Sequence, residues 1–88
     1  MKRIYKYHLP FGDVITIQMP KDAEVLSVGN QHEGVYLWAM VDPNAELIDY
    51  QFRMAGTGHP IVEGFIHSFI GTVHLQNSQL IFHIFEMK

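Results

Sequence analysis

The stretch Phe69-Ile70-Gly71-Thr72-Val73-His74-Leu75-Gln76-Asn77-Ser78-Gln79-Leu80-Ile81-Phe82-His83-Ile84-Phe85 decides the fold. Two runs rich in β-branched and aromatic residues flank four polar ones, the pattern of an antiparallel hairpin. With Asn77-Ser78 as a two-residue turn, Gln76 faces Gln79, His74 faces Ile81, and Thr72 faces His83. One face then carries Phe69, Val73, Leu75, Leu80, Phe82 and Ile84, an apolar set that reads as core. The other carries Ile70, Thr72, His74, Ile81, His83 and Phe85. Such a mixed face suits a subunit interface or the floor of a pocket.

The same reading extends toward the N-terminus. Runs from Arg3 to Leu9, Val14 to Met19, Val25 to Asn30, Val35 to Val41 and Leu47 to Ala55 each end in turn residues. With Ile66 to Leu75 and Leu80 to Met87 they make seven runs at near-regular spacing. That predicts an all-β chain, a small antiparallel β-sandwich or barrel, in a single domain over residues 1–88. Gln31-His32-Glu33-Gly34 reads as a tight reversal. The one helical candidate is Pro43 to Ile48, with Asp42 as cap and Pro43 at the first helical position. Val35 to Val41 is apolar on both faces, so it is expected to be central and buried on both sides or covered by another copy. In the next run Ile48, Tyr50, Phe52 and Met54 point one way, and Asp49, Gln51 and Arg53 the other. These two runs are expected to pair as a hairpin.

Composition narrows the function classes. Hydrophobic residues are 48% and charged residues 17%, the latter below the roughly 25% of an average soluble domain. So much apolar surface with so few charges points to a homo-oligomer or a covering partner. A net charge of −3 argues against DNA or RNA as ligand, since those need clustered Lys and Arg. No apolar run is long enough to span a bilayer, and no membrane role is expected. There is no cysteine, which removes disulfides and thiolate chemistry and fits a cytoplasmic setting. Lys2, Arg3 and Lys6 form a basic strand edge that discourages edge pairing.

Gly56-Thr57-Gly58-His59-Pro60-Ile61 is the stretch most suggestive of a site. Two glycines one residue apart permit positive φ and close approach. Successive backbone N–H groups there form an anion-binding nest, to which Thr57 and His59 add donors. Arg53, three residues upstream, is positioned to clamp the same anion, or else to pair with Asp49 or Glu46. The alternative is a plain connection whose glycines relieve a bend. Tyr36, Trp38 and Tyr50 are candidates for stacking on a flat ligand, with core packing as the competing reading. His59, His67, His74 and His83 raise the question of a metal, but their spacing is not that of a zinc motif, and neither metal nor cofactor is expected. Neither a nucleophile elbow nor a favoured carboxylate pair is present, so no catalytic residues are assigned and no enzyme is expected.

The chain resembles a family of short uncharacterised proteins of phages and prophage-carrying bacterial genomes. The resemblance covers nearly the full length. It rests on Ile4-Tyr5-Lys6-Tyr7, Ile17-Gln18-Met19-Pro20-Lys21, Leu37-Trp38-Ala39-Met40-Val41-Asp42-Pro43, Gly56-Thr57-Gly58-His59-Pro60-Ile61, Ile70-Gly71-Thr72-Val73 and Phe82-His83-Ile84-Phe85-Glu86. Family members often carry glycines in the last hairpin turn, where this chain has Asn77-Ser78. The resemblance implies a phage or prophage accessory protein acting in the host cytoplasm, with no catalytic residues to carry over. The expected function is binding and inactivation of a host target, a defence effector protein or a nucleotide-like signal, through an oligomeric interface. The alternative is a structural or assembly accessory without a small-molecule ligand. An enzyme acting on a phosphorylated metabolite is the third and weakest reading.

Overall fold

The computed structural model describes residues 1–61 and 68–87. These form seven strands: β1 (Arg3–Leu9), β2 (Val14–Pro20), β3 (Glu24–Gln31), β4 (Gly34–Val41), β5 (Leu47–Gly56), β6 (Ser68–Leu75) and β7 (Leu80–Met87). They assemble into a three-stranded sheet, β1-β4-β3, and a four-stranded sheet, β2-β5-β7-β6. Every pairing is antiparallel. The protein is an all-β sandwich.

The chain changes sheet between β1 and β2, β2 and β3, and β4 and β5, and local chemistry shapes the turns. The turn after β2 places Asp22 at φ 64° and closes with Ala23 N–H donating to Pro20 C=O at 3.2 Å. Tyr50 braces it: its hydroxyl accepts from Ala23 N–H and donates to Pro20 C=O, each at 3.0 Å. The β3–β4 turn has His32 and Glu33 both at positive φ, the requirement of a type I′ turn, whose twist matches that of its strands. Asn77 and Ser78 do the same between β6 and β7. There Thr72 pairs with His83 and His74 with Ile81, the register read from the sequence.

Four expectations are corrected. Among the described residues there is no helix at Pro43 to Ile48. The Asp42 carboxylate instead accepts from Asn44 N–H at 3.0 Å, and Asp42 C=O accepts from Ala45 N–H at 3.1 Å. This local turn delivers Leu47 and Ile48 straight into pairing with β2. Second, β4 and β5 are not a hairpin but belong to different sheets. Third, β4 is central in its sheet as expected, but within one copy it is buried on one face only: Val35, Leu37, Ala39 and Val41 are fully buried, while Tyr36, Trp38 and Met40 are half-buried on the outer side. Fourth, a bulge between Phe69 and Gly71 exchanges the faces of Phe69 and Ile70, because an extra residue reverses the alternation upstream of it. Phe69 therefore lies outside, 59% exposed, against Phe85 at 5.4 Å between ring centroids. Ile70 packs against the core. The start of the predicted sixth run, with Ile66 and His67, lies outside the described residues.

The core lies between the sheets. Leu9, Leu37, Val41 and Val35 come from the first; Met19, Phe52, Leu75 and Ile84 come from the second, all with at most 2% exposure. No buried polar side chain among the described residues lacks a partner. Tyr7 packs on this core from β1. Burial, then the neighbouring phenols of Tyr5 and Tyr50, raise its pKa above 10.0. A phenol raised by folding contributes stability that is complete below its unfolded value of about 10 and is lost as pH climbs through the folded value. Stability of the wild type is therefore expected to fall above about pH 10, and Tyr7→Phe is expected to flatten that fall in urea titrations at alkaline pH. An unchanged slope in the variant would mean that Tyr7 is not the group responsible.

Candidate functional site

The glycine stretch forms the end of β5 and the turn that follows. His59 N–H donates to Gly56 C=O at 3.0 Å, and Gly58 sits at φ 85°. Positive φ at the third residue alone is the mark of a type II turn, and it accounts for glycine there. Gly56 is needed for a different reason. A Cβ on it would stand 2.7 Å from His59 Cε1 and 2.8 Å from Nδ1, so the imidazole folds back over a backbone that has no side chain.

Thr57 ties this turn to the last hairpin. Its Oγ1 lies 2.8 Å from His83 Nε2, and Thr72 Oγ1 lies 3.0 Å from His83 Nδ1. A neutral imidazole donates at one nitrogen and accepts at the other. The three groups therefore form one hydrogen-bonded chain across β7 and β6. No carboxylate hydrogen-bonds His83 among the described residues.

A cleft of about 320 Å³ opens between the turn and the hairpin. Gly56, Thr57 and His59 form one wall; Gln79, Leu80, Ile81 and Phe82 form the other. The mix of apolar walls and a few polar groups, at the lower end of the usual size range, fits a small ligand. A second hollow of about 290 Å³ shares Leu80 and Phe82 with it and is bounded by Phe11, Glu33 and Gln76. Phe11 packs on Phe82 at a tilt of 49°, with ring centroids 5.8 Å apart. The Glu33 carboxylate accepts from Gln76 N–H at 2.9 Å and 3.2 Å. Turns from both sheets are thereby fastened around this end of the sandwich.

The anticipated site residues are distributed as follows. Gly56, Thr57 and His59 meet in the cleft wall, and Gly58 stands at the crest with nothing within 4 Å of a would-be Cβ. Arg53 is directed elsewhere. Its guanidinium donates to Met54 C=O at 2.6 Å, Pro60 C=O at 3.2 Å and Asp13 C=O at 3.4 Å. Its ion-pair partner is Asp13, at 3.6 Å, not Asp49 or Glu46. Arg53 thus buckles the exit of the glycine turn and the β1–β2 loop onto β5. Tyr36 and Trp38 lie together on the outer face of the three-stranded sheet, Trp38 across Gly29 and Tyr36 under the Lys6 ammonium at 4.9 Å. Tyr50 sits in the other sheet as the brace described above, so the three do not form one platform. His74 is exposed on β6, and His67 lies outside the described residues. No group of three or more His, Cys, Asp or Glu that could hold a metal occurs among the described residues.

Gln79, Leu80 and Phe82 as a cleft wall are missed in the sequence, whereas Thr72, Ile81 and His83 lie on the mixed hairpin face already singled out, without their link to the glycine turn. Their link to the glycine turn depends on β5 pairing with β7, where Gly56 faces Phe82. No short-range pattern signals that pairing.

A family model for a domain of unknown function, DUF7352, matches residues 1–88. The chain belongs to this family. No curated protein and no solved structure matches it. No helix among the described residues is long and apolar enough to cross a membrane.

Proposed function

We propose that this DUF7352 protein is a small phage-type binding protein that sequesters or inhibits a host target. The target is a defence effector or, as the cleft favours, a nucleotide-like signal. The protein acts as a homo-oligomer in the host cytoplasm and turns nothing over. The observation that carries this reading is the cleft itself. The glycine turn and the last hairpin, remote in sequence, are drawn together by Thr57 and His83 around an apolar hollow with polar edges. The spent donors of His59 and Arg53 shift the emphasis from an anion nest to a wall: a ligand is gripped by Leu80 and Phe82 and oriented by Gln79, Thr57 and the His59 ring. A charged group on that ligand is left to solvent or to a second copy.

The exposed apolar residues on both outer sheet faces, Ile4 at 60% and Phe69 at 59%, support the oligomer. They equally favour the second reading, an assembly accessory without a ligand. One experiment separates the two. Purified protein is incubated with a host nucleotide extract, washed, denatured, and the released compounds are identified by mass spectrometry. Release of one nucleotide-like compound in near-stoichiometric amount is expected. No release, from a protein that nevertheless assembles, would leave the accessory role standing. Light scattering that reports a 10.2 kDa monomer at micromolar concentration would remove the oligomer from the account.

A further inference from the structure

The two long sides of the sandwich are built differently. On one side β3 and β6 close against each other, and a Cβ on Gly71 would stand only 3.0 Å from Val28 Cγ2. Both strands on that side are bulged, between Val25 and Ser27 in β3 and between Phe69 and Gly71 in β6. Bulges blunt a sheet edge against stray pairing. On the other side stands β1. It pairs only with β4 among the described residues, and its register runs unbroken from Arg3 to Leu9. It contains neither Pro nor Gly. It is an unbroken edge whose outward N–H and C=O groups have no partner strand among the described residues.

Charge tells what such an edge accepts. Lys2, Arg3 and Lys6 are three of the six Lys and Arg residues, and no Asp or Glu precedes Asp13, in a chain of net charge −3. Two copies pairing through β1 would bring these cations together, which opposes self-pairing. An acidic strand would meet them favourably and would be steered toward them. The lysine that most directly guards the edge is drawn aside: Lys6 Nζ donates to Gln31 Oε1 at 2.9 Å, across the Tyr36 ring on β4. The alternation of β1 then sets the pattern of the guest. Its outer face presents Ile4, Lys6 and His8, opposite Met40, Trp38 and Tyr36. Its inner face presents Tyr5, 40% exposed, and Tyr7, packed on the core.

We infer that the free edge of β1 is a docking edge that takes, by strand addition, an extended acidic segment of another protein. The segment carries carboxylates on its outward side, beside Lys2 and beside Lys6, whose ammonium leaves Gln31 to meet them, and apolar side chains on its inward side, beside Tyr5 and Tyr7. Backbone hydrogen bonds supply affinity, and the alternation supplies specificity. The edge is separate from the cleft of Gly56 and Phe82 and does not depend on it.

The test uses a blocked peptide of alternating Glu and Val, equal in length to β1, seven residues. Its controls are the Lys/Val counterpart and a peptide of the same composition with the Glu residues grouped at one end. Amide shifts and hydrogen exchange of the full chain are followed by NMR. Saturable shifts and slowed exchange along Arg3 to Leu9 are expected with the alternating acidic peptide only, weakening as salt is raised. The double substitution Lys2→Glu, Lys6→Glu is expected to weaken binding about tenfold or more, equivalent to about 1.4 kcal/mol. Lys6→Ala, which removes one charge without reversing it, is expected to fall between. Both variants are checked by circular dichroism. Absence of saturation at millimolar peptide, shifts confined to Thr57 and Phe82, indifference to charge reversal, or equal binding of the grouped peptide would each overturn the proposal. So would β1 protection that appears with protein concentration alone, since the occupant would then be a second copy.

Discussion

Phe52→Ala is expected to lower the unfolding free energy by about 3–5 kcal/mol. Phe52 is fully buried on β5, the strand that joins β2 to β7 in the larger sheet. It faces Ile15 on one side and Glu86 on the other, and its ring fills the space between the sheets. Truncation removes its transfer free energy and leaves a cavity that strands on both sides cannot collapse to fill. A small domain holds about 5–15 kcal/mol in total, so the variant is expected to be partly unfolded at 37 °C. Urea denaturation followed by tryptophan fluorescence of Trp38 and by circular dichroism gives the number. A loss below about 1 kcal/mol, the range of surface changes, would show that the core is not organised around β5.

Gly56→Ala is expected to do the opposite: leave the fold and remove the function. The new Cβ would stand 2.7 Å from His59 Cε1, so the ring must swing out, which the free end of a side chain can do at small cost. The cleft then loses its His59 wall. A ligand held there is expected to bind about tenfold weaker or worse, about 1.4 kcal/mol, with the melting temperature nearly unchanged. Gly58→Ala is the informative contrast. Nothing lies within 4 Å of a Cβ there, but φ is 85°, so the cost falls on stability, about 1–2 kcal/mol, more than on the cleft. Calorimetric titration beside thermal melts separates the two effects. Equal loss of binding and stability in both variants would mean that the turn matters only as a fold element.

How far the sequence could be read follows from the range of each interaction. The β6–β7 hairpin was legible because its turn chemistry and pairing are local, and Thr72 facing His83 came out correctly. The alternation of Tyr50, Phe52 and Met54 was legible for the same reason. Arg53 reads as an anion clamp or a partner of Asp49 or Glu46; its actual partner was not legible, because Asp13 is forty residues away and reaches it only when β2 pairs with β5. The bulge at Ile70 reversed Phe69, and one extra residue in a strand leaves no mark in an apolar run. The β4–β5 hairpin failed on topology: both runs have strand patterning, and nothing local says that the turn at Asp42 carries the chain to the other sheet. The cleft was half legible. Its Gly56–His59 wall announced itself by unusual composition, whereas Leu80 and Phe82 look like any core-facing pair.

The central claim is that the cleft between Gly56–His59 and Gln79–Phe82 is where this protein holds its ligand. The most direct test adds the compound released from host extract back to the isotope-labelled protein and maps the amide and methyl shifts. The account predicts saturable shifts concentrated at Gly56, Thr57, His59 and the Leu80 and Ile81 methyls, with the His83 ring following them and Gly56→Ala moving saturation to about tenfold higher ligand or beyond. Shifts concentrated instead on the outer face of Tyr36 and Trp38, or unaffected by Gly56→Ala, would contradict it.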